Sequence, residues 1–200
     1  MSAVLVAILA AAIPEKDGNA LDQSAEALMG SIRSDGLTSV FKVFSYLGST
    51  IAIVVITLSA SLIAGWKNGW RRGAYILIGV ASAFGLNLLI KMWIDRARPS
   101  TSWGIEADGA SFPSGNAMLA MAMFGLIAWN IIEARGLSRG AKAWSAAIVI
   151  SLIAMMGLCR VYFHVHYITD ILGGYAAGVA VISLIMIIHT TYKKRGAVHL

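Results

Sequence analysis

Three short polar clusters, separated by long apolar runs, decide how this chain folds. In order they read Lys91-Met-Trp-Ile-Asp-Arg-Ala-Arg98-Pro99, then Pro113-Ser114-Gly115-Asn116, then Cys159-Arg160 followed by His166 and Asp170. Because apolar runs long enough to form helices lie between them, this alternation predicts that helices carry the three clusters to one side of a membrane. The stretch from residue 91 to residue 170 therefore holds the candidate functional residues.

The composition is that of a membrane protein. Of the 200 residues, 58% are hydrophobic and 13% are charged, whereas a soluble domain carries about 25% charged residues. The formal net charge is +6, but the basic residues lie between apolar runs rather than on a polar surface, which argues against a nucleic-acid partner. The single cysteine, Cys159, excludes an intrachain disulfide and leaves the redox compartment open.

Five runs without an ionisable side chain predict transmembrane helices at residues 43–66, 73–90, 111–132, 143–159 and 171–188. Each run matches the length of about 17–25 residues that spans a bilayer. Because lipid offers the backbone no hydrogen-bond partners, such segments must be helical. The shorter apolar run at residues 1–13 predicts a sixth helix that spans the membrane or is half-buried in it.

These runs predict an all-α, polytopic membrane helix bundle with six spans, five of them clear, that forms one domain over residues 1–200. Residues 15–42 mix apolar and charged side chains, which indicates one or two amphipathic helices in the membrane interface, or else a connecting loop. Gly174 and Gly178 have the small-xxx-small spacing that allows close helix contact.

The charges of the connecting segments predict the orientation. Three connections are basic: Lys67, Arg71 and Arg72; Arg135, Arg139 and Lys142; and Lys193, Lys194 and Arg195. The positive-inside rule assigns these connections to the cytoplasm. The three polar clusters, which alternate with them, then open on the extracytoplasmic side.

Each cluster also has a purely structural interpretation. Lys91 at the end of a span fits a snorkelling lysine, and Ser114 fits the N-cap of a helix. Arg96 and Arg98 beside Asp95 fit a solvated loop.

The cations and the helix start together predict an anion site. Lys91, Arg98 and Arg160 supply positive charge, and Ser114 and Gly115 supply a hydroxyl and an amide at a helix N-terminus, where anions bind well. These are the groups that hold a phosphoryl group during transfer.

His166 and Asp170 predict a nucleophile or base with its orienting carboxylate. Their spacing of four places them side by side on one helical turn. A carboxylate on one imidazole nitrogen fixes the tautomer and frees the other nitrogen. His164 and His166 form a His-x-His pair, so a metal site is the competing interpretation, but no further ligand cluster has suitable spacing.

At these positions the chain resembles the type 2 phosphatidic acid phosphatases, the PAP2 family of integral membrane lipid phosphatases. The family pattern is Lys-x6-Arg-Pro, then Pro-Ser-Gly-His, then Ser-Arg-x5-His-x3-Asp. This chain has Lys91-x6-Arg98-Pro99, then Pro113-Ser114-Gly115-Asn116, then Cys159-Arg160-x5-His166-x3-Asp170. The resemblance covers about residues 37–185 and includes the segment Phe44-Ser45-Tyr46-Leu47-Gly48-Ser49-Thr50.

The resemblance implies a mechanism and a fold. His166 would be the nucleophile that forms a phosphohistidine, and Asp170 would orient it. The phosphate oxygens would be held by Lys91, Arg98, Ser114, the Gly115 amide and Arg160. The resemblance implies no metal and no other cofactor, and a bundle of six membrane helices with its site at the extracytoplasmic surface.

Two positions depart from the family pattern. Cys159 replaces a serine of similar size, and we expect little effect. Asn116 replaces the histidine that protonates the leaving oxygen or assists its departure, and an amide cannot donate a proton near neutral pH. General acid catalysis contributes about 10²–10⁴-fold, so an impaired enzyme is expected. The asparagine is either a deliberate substitution that holds substrate in place, which the intact phosphate ligands favour, or a natural variant that is slow or non-catalytic.

The predicted function is hydrolysis of a lipid phosphate or pyrophosphate at the outer face of a bacterial plasma membrane. The resemblance suggests undecaprenyl pyrophosphate and phosphatidylglycerophosphate first, then phosphatidic acid. The loop at residues 100–112 is expected to contact the head group through Trp103, Glu106 and Asp108, although Trp103 also fits an interface anchor. The alternatives are a lipid-phosphate-binding protein without turnover and a small-molecule transporter, but no ionisable residue marks a pathway within the five runs.

Overall fold

The computed structural model describes residues 18–100, 102–134 and 136–198. Within these ranges the chain forms seven α-helices and no strand: α1 (Ala20–Ser31), α2 (Asp35–Leu47), α3 (Thr50–Asn68), α4 (Trp70–Ile94), α5 (Gly115–Glu133), α6 (Arg139–Tyr162) and α7 (Ile168–Val198). The five helices α3 to α7 are long and apolar enough to cross a membrane. The all-α polytopic fold and its five clear spans are therefore confirmed, and the sixth span predicted at residues 1–13 lies outside the described residues.

Two short helices, α1 and α2, precede the spans, where the sequence had left helices or a loop open. α1 begins with a reciprocal cap: the Asn19 side chain accepts from the Asp22 amide, and the Asp22 carboxylate accepts from the Asn19 amide. Ser34 caps α2 by accepting from the Leu37 amide. These local bonds stop and restart the helix before the membrane bundle begins.

The first span begins later than the apolar run at 43–66 predicts. α2 ends at Leu47, and Ser49 then caps α3 by accepting a hydrogen bond from the Ala52 amide. The apolar run therefore belongs to two helices. Apolar side chains alone gave no sign of this break, because the Ser49 hydroxyl sets it by capping α3.

The central helix of the bundle is α5, which contacts α3, α4, α6 and α7. Gly174 and Gly178 let α7 approach it closely. A Cβ added at Gly174 would lie 2.7 Å from the Ser114 carbonyl oxygen, and one at Gly178 would lie 2.7 Å from the Met121 Cβ. The close contact predicted from the small-xxx-small spacing is confirmed, and it fixes the start of α7 beside the start of α5.

The outer surface of the bundle has the features of a lipid-facing surface. Large apolar side chains such as Leu62 and Ile150 are exposed, and so are Trp70 and Trp93 near the two ends of α4. These tryptophans are 23 positions apart, or about 35 Å along a helix. That distance suits the two interfaces of a hydrocarbon core of about 30 Å, where tryptophans concentrate.

The two ends of the bundle differ in charge. The end of α4, the start of α5, the end of α6 and the start of α7 meet at one end, where the three polar clusters lie. The other end carries the basic side chains Lys67, Arg71, Arg72, Arg139, Lys142, Lys193 and Lys194. There Arg72 pairs with Glu133 and lies 4.4 Å above the Trp129 ring.

Candidate active site

His166 lies at the centre of the polar end of the bundle. Its Nε2 is 3.1 Å from Arg98 Nη1, and its Nδ1 is 3.4 Å from Asp170 Oδ2 and 3.3 Å from Ser111 Oγ. The pairing with Asp170 arises differently from the single helical turn that we predicted. His166 precedes α7, and Asp170 reaches back over the helix start, where its Oδ2 accepts from the Tyr167 amide at 2.9 Å.

The surroundings keep the His166 imidazole neutral. Burial lowers the pKa of His166 from 6.5 to about 4; the hydrogen bond and charge of Asp170 oppose this shift, and the charges of Arg98 and Lys91 add to it. With the Asp170 carboxylate at Nδ1, the proton of the neutral ring belongs on Nδ1. The Nε2 lone pair then points towards Arg98, on the side where the cations gather.

Lys91 and Arg98 converge on one loop. The Lys91 ammonium donates to the Ala110 carbonyl, and Arg98 Nη2 donates to the carbonyls of Asp108 at 2.8 Å and Ala110 at 3.4 Å. Arg98 Nε donates to the Gly109 carbonyl at 2.9 Å. The Lys91 ammonium therefore ends on a loop carbonyl at the polar end of the bundle, and its role in phosphate binding stays a prediction.

Arg160 belongs to the same group of cations. Burial lowers the pKa of Arg98, the charge of Asp170 opposes this shift, and the charge of Arg160 adds to it. Such an effect requires the two guanidinium groups to be close. The structure thus brings together Lys91, Arg98, Arg160 and His166, which come from the ends of two helices and from two loops.

Ser114 begins α5, but its side chain does not cap the helix. Its amide donates to the Asp170 carbonyl at 3.0 Å, which ties the start of α5 to α7. Next to it, a Cβ at Gly115 would lie 3.2 Å from Asn87 Oδ1, and Asn87 Nδ2 donates to the Pro113 carbonyl at 3.2 Å. The helix start is therefore held rigidly, while the Ser114 hydroxyl stays available.

At the start of α5 and the end of α6, three buried donors lack a hydrogen-bond partner among the residues that the structure describes, and they are Ser114 Oγ, Asn116 Nδ2 and Arg160 Nε. Asn116 and Arg160 share a position against the backbone of Gly48. A Cβ at Gly48 would collide with Asn116 Nδ2 and lie 3.4 Å from Arg160 Nη2. Buried polar groups are nearly always paired, so three unpaired donors at one place indicate a site for an anion.

A second set of residues supports Asp170, and the sequence analysis missed it. Arg96, which fitted a solvated loop, is only 3% exposed. Its Nη1 lies 2.6 Å from Asp170 Oδ1, and its Nη2 lies 2.9 Å from Asp22 Oδ2. Thr169 completes the network, because its amide and hydroxyl both donate to Asp22. The solvated-loop interpretation is wrong for Arg96, and helix α1 supports the site through Asp22.

His164 and His166 have different partners. His164 Nε2 lies 2.9 Å from Glu26 Oε1, and its ring packs 5.0 Å from Trp103. The Arg33 guanidinium lies over the Trp103 ring, 5.0 Å from its centroid. The two histidines of the His-x-His pair therefore contact different groups. His164 contacts Glu26 and Trp103, whereas His166 contacts Asp170 and Arg98.

Other predicted positions lie around the site. Cys159 is fully buried and its thiol donates to the Met156 carbonyl at 3.2 Å, so it packs in the core. Glu106 and Asp108 line a polar cavity of about 240 Å³ that also borders Arg98 and His164.

The fold and site define a membrane-embedded helix bundle with a cationic pocket around a neutral, carboxylate-oriented imidazole. The profile of the PAP2 superfamily matches residues 72–194. The chain belongs to this superfamily, as its three motifs predicted, and it is a hydrolase of the membrane lipid phosphatase class.

Known proteins show how far the likeness extends. The chain is 28% identical over 179 residues to phosphatidylglycerophosphatase B of Bacillus subtilis, covering 89% of this chain and 88% of that one. It is similar to the crystal structure of a transmembrane PAP2 type phosphatidylglycerolphosphate phosphatase from Bacillus subtilis, with a TM-score of 0.83, 26% identity, and coverage of 95% and 94%. The crystal structure of Aquifex aeolicus LpxE shares the fold, with a TM-score of 0.67, 20% identity, and coverage of 84% and 96%.

Proposed function

We propose that this chain hydrolyses the phosphate or pyrophosphate head group of a membrane lipid through a phosphohistidine on His166. The observation that carries the proposal is the set of three unpaired, buried donors on Ser114, Asn116 and Arg160. They lie at the same end of the bundle as a neutral imidazole whose lone pair faces the cations. A phosphoryl group would satisfy these donors and present its phosphorus to His166.

The chemistry follows from the positions of these groups. His166 Nε2 attacks phosphorus, a P–N bond forms, and the bond from phosphorus to the lipid oxygen breaks with its electrons on that oxygen. The ring becomes positive, and the Asp170 carboxylate beside Nδ1 stabilises it. Water then attacks phosphorus, neutral imidazole departs, and the proton of the water passes to solvent or phosphate. Throughout, the charge of the phosphoryl oxygens is balanced by Lys91, Arg98 and Arg160. Side chains of this protein thus perform each of these steps.

An apolar cavity gives the lipid tail a place beside the site. It has a volume of about 380 Å³, lies between α3, α4 and α5, and is lined by side chains that include Thr50, Leu58, Ala81 and Leu119. Thr50 is two residues from Gly48, which touches the unpaired donors. A head group in the cationic pocket would thus have its tail along α3 and α4. The names of the relatives favour phosphatidylglycerophosphate as one substrate, and a polyprenyl pyrophosphate is the other candidate.

The charge difference between the two ends supports an outward-facing site. By the positive-inside rule the basic end faces the cytoplasm, which puts the pocket, α1 and α2 at the extracytoplasmic surface of a bacterial plasma membrane. A membrane-impermeant thiol reagent applied to intact cells should label a Ser102→Cys variant and spare a Ser138→Cys variant. Cys159 is buried and gives little background. The reverse labelling pattern contradicts this orientation.

Asn116 favours a second candidate function, the binding of a lipid phosphate without turnover. It can hydrogen-bond an oxygen but cannot protonate one near neutral pH. Phosphate release from phosphatidylglycerophosphate and from geranylgeranyl diphosphate in detergent micelles distinguishes the two functions. We expect release by the chain, faster release by Asn116→His, and none by His166→Ala. Lipid binding without phosphate release, by both the unchanged chain and a folded Asn116→His variant, would establish the binding protein instead.

A further inference from the structure

The pocket places its proton donors unevenly around the reacting phosphorus. In-line displacement requires the leaving oxygen to depart on the side opposite His166. Arg98 lies on the side of His166, with its Nη1 3.1 Å from Nε2. Lys91 joins Arg98 at the Ala110 carbonyl. Asn116 and Arg160 lie together against Gly48 with unpaired donors. A phosphoryl group held between these two sets would direct its leaving oxygen towards the Asn116 amide and the Arg160 guanidinium.

Neither of these two groups can give up a proton. An amide has no acidic proton near neutral pH, and a guanidinium stays protonated in proteins. Ser114, the third unpaired donor, has a hydroxyl that can hydrogen-bond but is a very weak acid. Among the described residues, the leaving oxygen thus meets donors that stabilise negative charge and no donor that removes it by protonation.

The chemistry of the leaving group decides how much the missing proton donor slows the reaction. Cleavage of an alkyl phosphate leaves an alkoxide, which is a strong base because its conjugate acid is about as weak an acid as water. Cleavage of a pyrophosphate between its two phosphorus atoms leaves a phosphate monoester, whose second pKa is about 6. The phosphate can depart as a stable anion held by hydrogen bonds, whereas the alkoxide needs a proton.

We infer that Asn116 makes this chain selective for phosphoanhydrides, so that its substrate is a lipid pyrophosphate and its lipid product a monophosphate. The inference rests on the proposed function. In the reaction His166 Nε2 forms the P–N bond to the terminal phosphorus, and the bond to the bridging oxygen breaks. The electron pair goes to the oxygen of the inner phosphate, which Asn116 and Arg160 receive. Water then releases one inorganic phosphate per lipid, and the reaction stops at the monophosphate.

A pair of lipids with the same tail tests this selectivity. Geranylgeranyl diphosphate and geranylgeranyl monophosphate differ in the leaving oxygen and share the same tail. The apolar cavity therefore contributes equally to the binding of both lipids. For the unchanged chain we expect kcat/KM at least about 10²-fold higher for the diphosphate, because general acid catalysis is worth about 10²–10⁴-fold. Chromatography of the lipid should show monophosphate accumulating with one phosphate released. Equal kcat/KM for the two lipids, or direct formation of the alcohol, would overturn the inference.

The Asn116→His variant tests the cause. A histidine can protonate the alkoxide, so monophosphate hydrolysis should rise by about 10²–10⁴-fold while diphosphate hydrolysis changes by less than about 10-fold. An equal gain on both lipids would overturn the inference and leave the proposed function intact. Failure of both proteins to hydrolyse either lipid, with the fold verified by circular dichroism, would overturn the proposed function itself.

A leaving-group series in the unchanged chain requires no variant. Phenyl phosphate leaves as a phenolate, whose conjugate acid has a pKa of about 10, as for tyrosine. Its turnover should exceed that of a soluble alkyl phosphate such as glycerol 3-phosphate, measured with the same detergent-purified protein. Equal turnover of the two esters would contradict the reasoning about protonation even if the Asn116→His variant failed to fold.

Discussion

Asp22→Asn is a small change that should have a large effect, because it removes one charge from a buried network. Asp22 is 2% exposed and accepts from Arg96 at 2.9 Å and from the Thr169 amide at 3.0 Å. The asparagine keeps the shape but must turn an NH2 group towards either Arg96 or the Thr169 donors. Breaking a buried ion pair costs about 3–5 kcal/mol. Arg96 retains Asp170 on its other nitrogen, so we expect the lower end, about 3 kcal/mol.

The melting temperature in detergent measures this loss. For a chain of this size each kcal/mol corresponds to about 2–4 °C, so Asp22→Asn should lower Tm by about 6–12 °C. The matched control is Asp35→Asn, the same change at an exposed first-turn position of α2. We expect a cost below about 1 kcal/mol there. A Tm for Asp22→Asn that equals that of Asp35→Asn would refute the claim that Asp22 supports the site.

Asp170→Asn should lower kcat by about 10²–10⁴-fold, since no charge then stabilises the positive ring, while affinity for inorganic phosphate by calorimetry changes little; a loss confined to affinity would contradict the orienting role. The pKa of His166 near 4 predicts that kcat/KM falls with acid near pH 4, and an acid limb near pH 6.5 would argue against a buried neutral ring. Between pH 6.5 and about 4 the unfolded chain binds a proton at His166 that the folded chain does not, so stability should be lost as pH falls through this window, and His166→Ala should weaken the slope. Ala81→Trp should fill the apolar cavity and reduce turnover of long-chain lipids while sparing phenyl phosphate, and Ala147→Trp on the exposed surface of α6 is its control; equal effects of the two variants would argue against the cavity as the tail site.

Some features of the site followed from sequence spacing alone. The motif positions of Lys91, Arg98, Arg160 and His166 predicted a cationic pocket, because helix ends that alternate across a membrane must gather on one side. Their individual catalytic roles stay predictions until the variants are measured. The spacing of His166 and Asp170 indicated their pairing but suggested the wrong geometry, since Asp170 lies in the first turn of its helix and His166 lies outside it.

Other features had no local signal. Arg96 and Asp22 are 74 positions apart in the sequence. Taken alone, each resembles an ordinary charged residue of a loop or a surface helix. Only the packing of α1 against the start of α7 makes their burial favourable, because each then finds an opposite charge. Arg96 precedes the motif residue Arg98 by two positions, and Asp22 lies in α1. These positions do not establish from the sequence that the two side chains form an ion pair.

By itself the sequence determined the five spans, the all-α class and the polar end of the bundle. These features follow from run length, hydropathy and motif spacing, because each segment partitions into the bilayer according to its own sequence. Only the tertiary structure decided which polar atoms remain unpaired at Ser114, Asn116 and Arg160, and which charges Arg96 holds together. Hydrogen-bond satisfaction in a buried site depends on groups from distant helices, so no single segment contains that information.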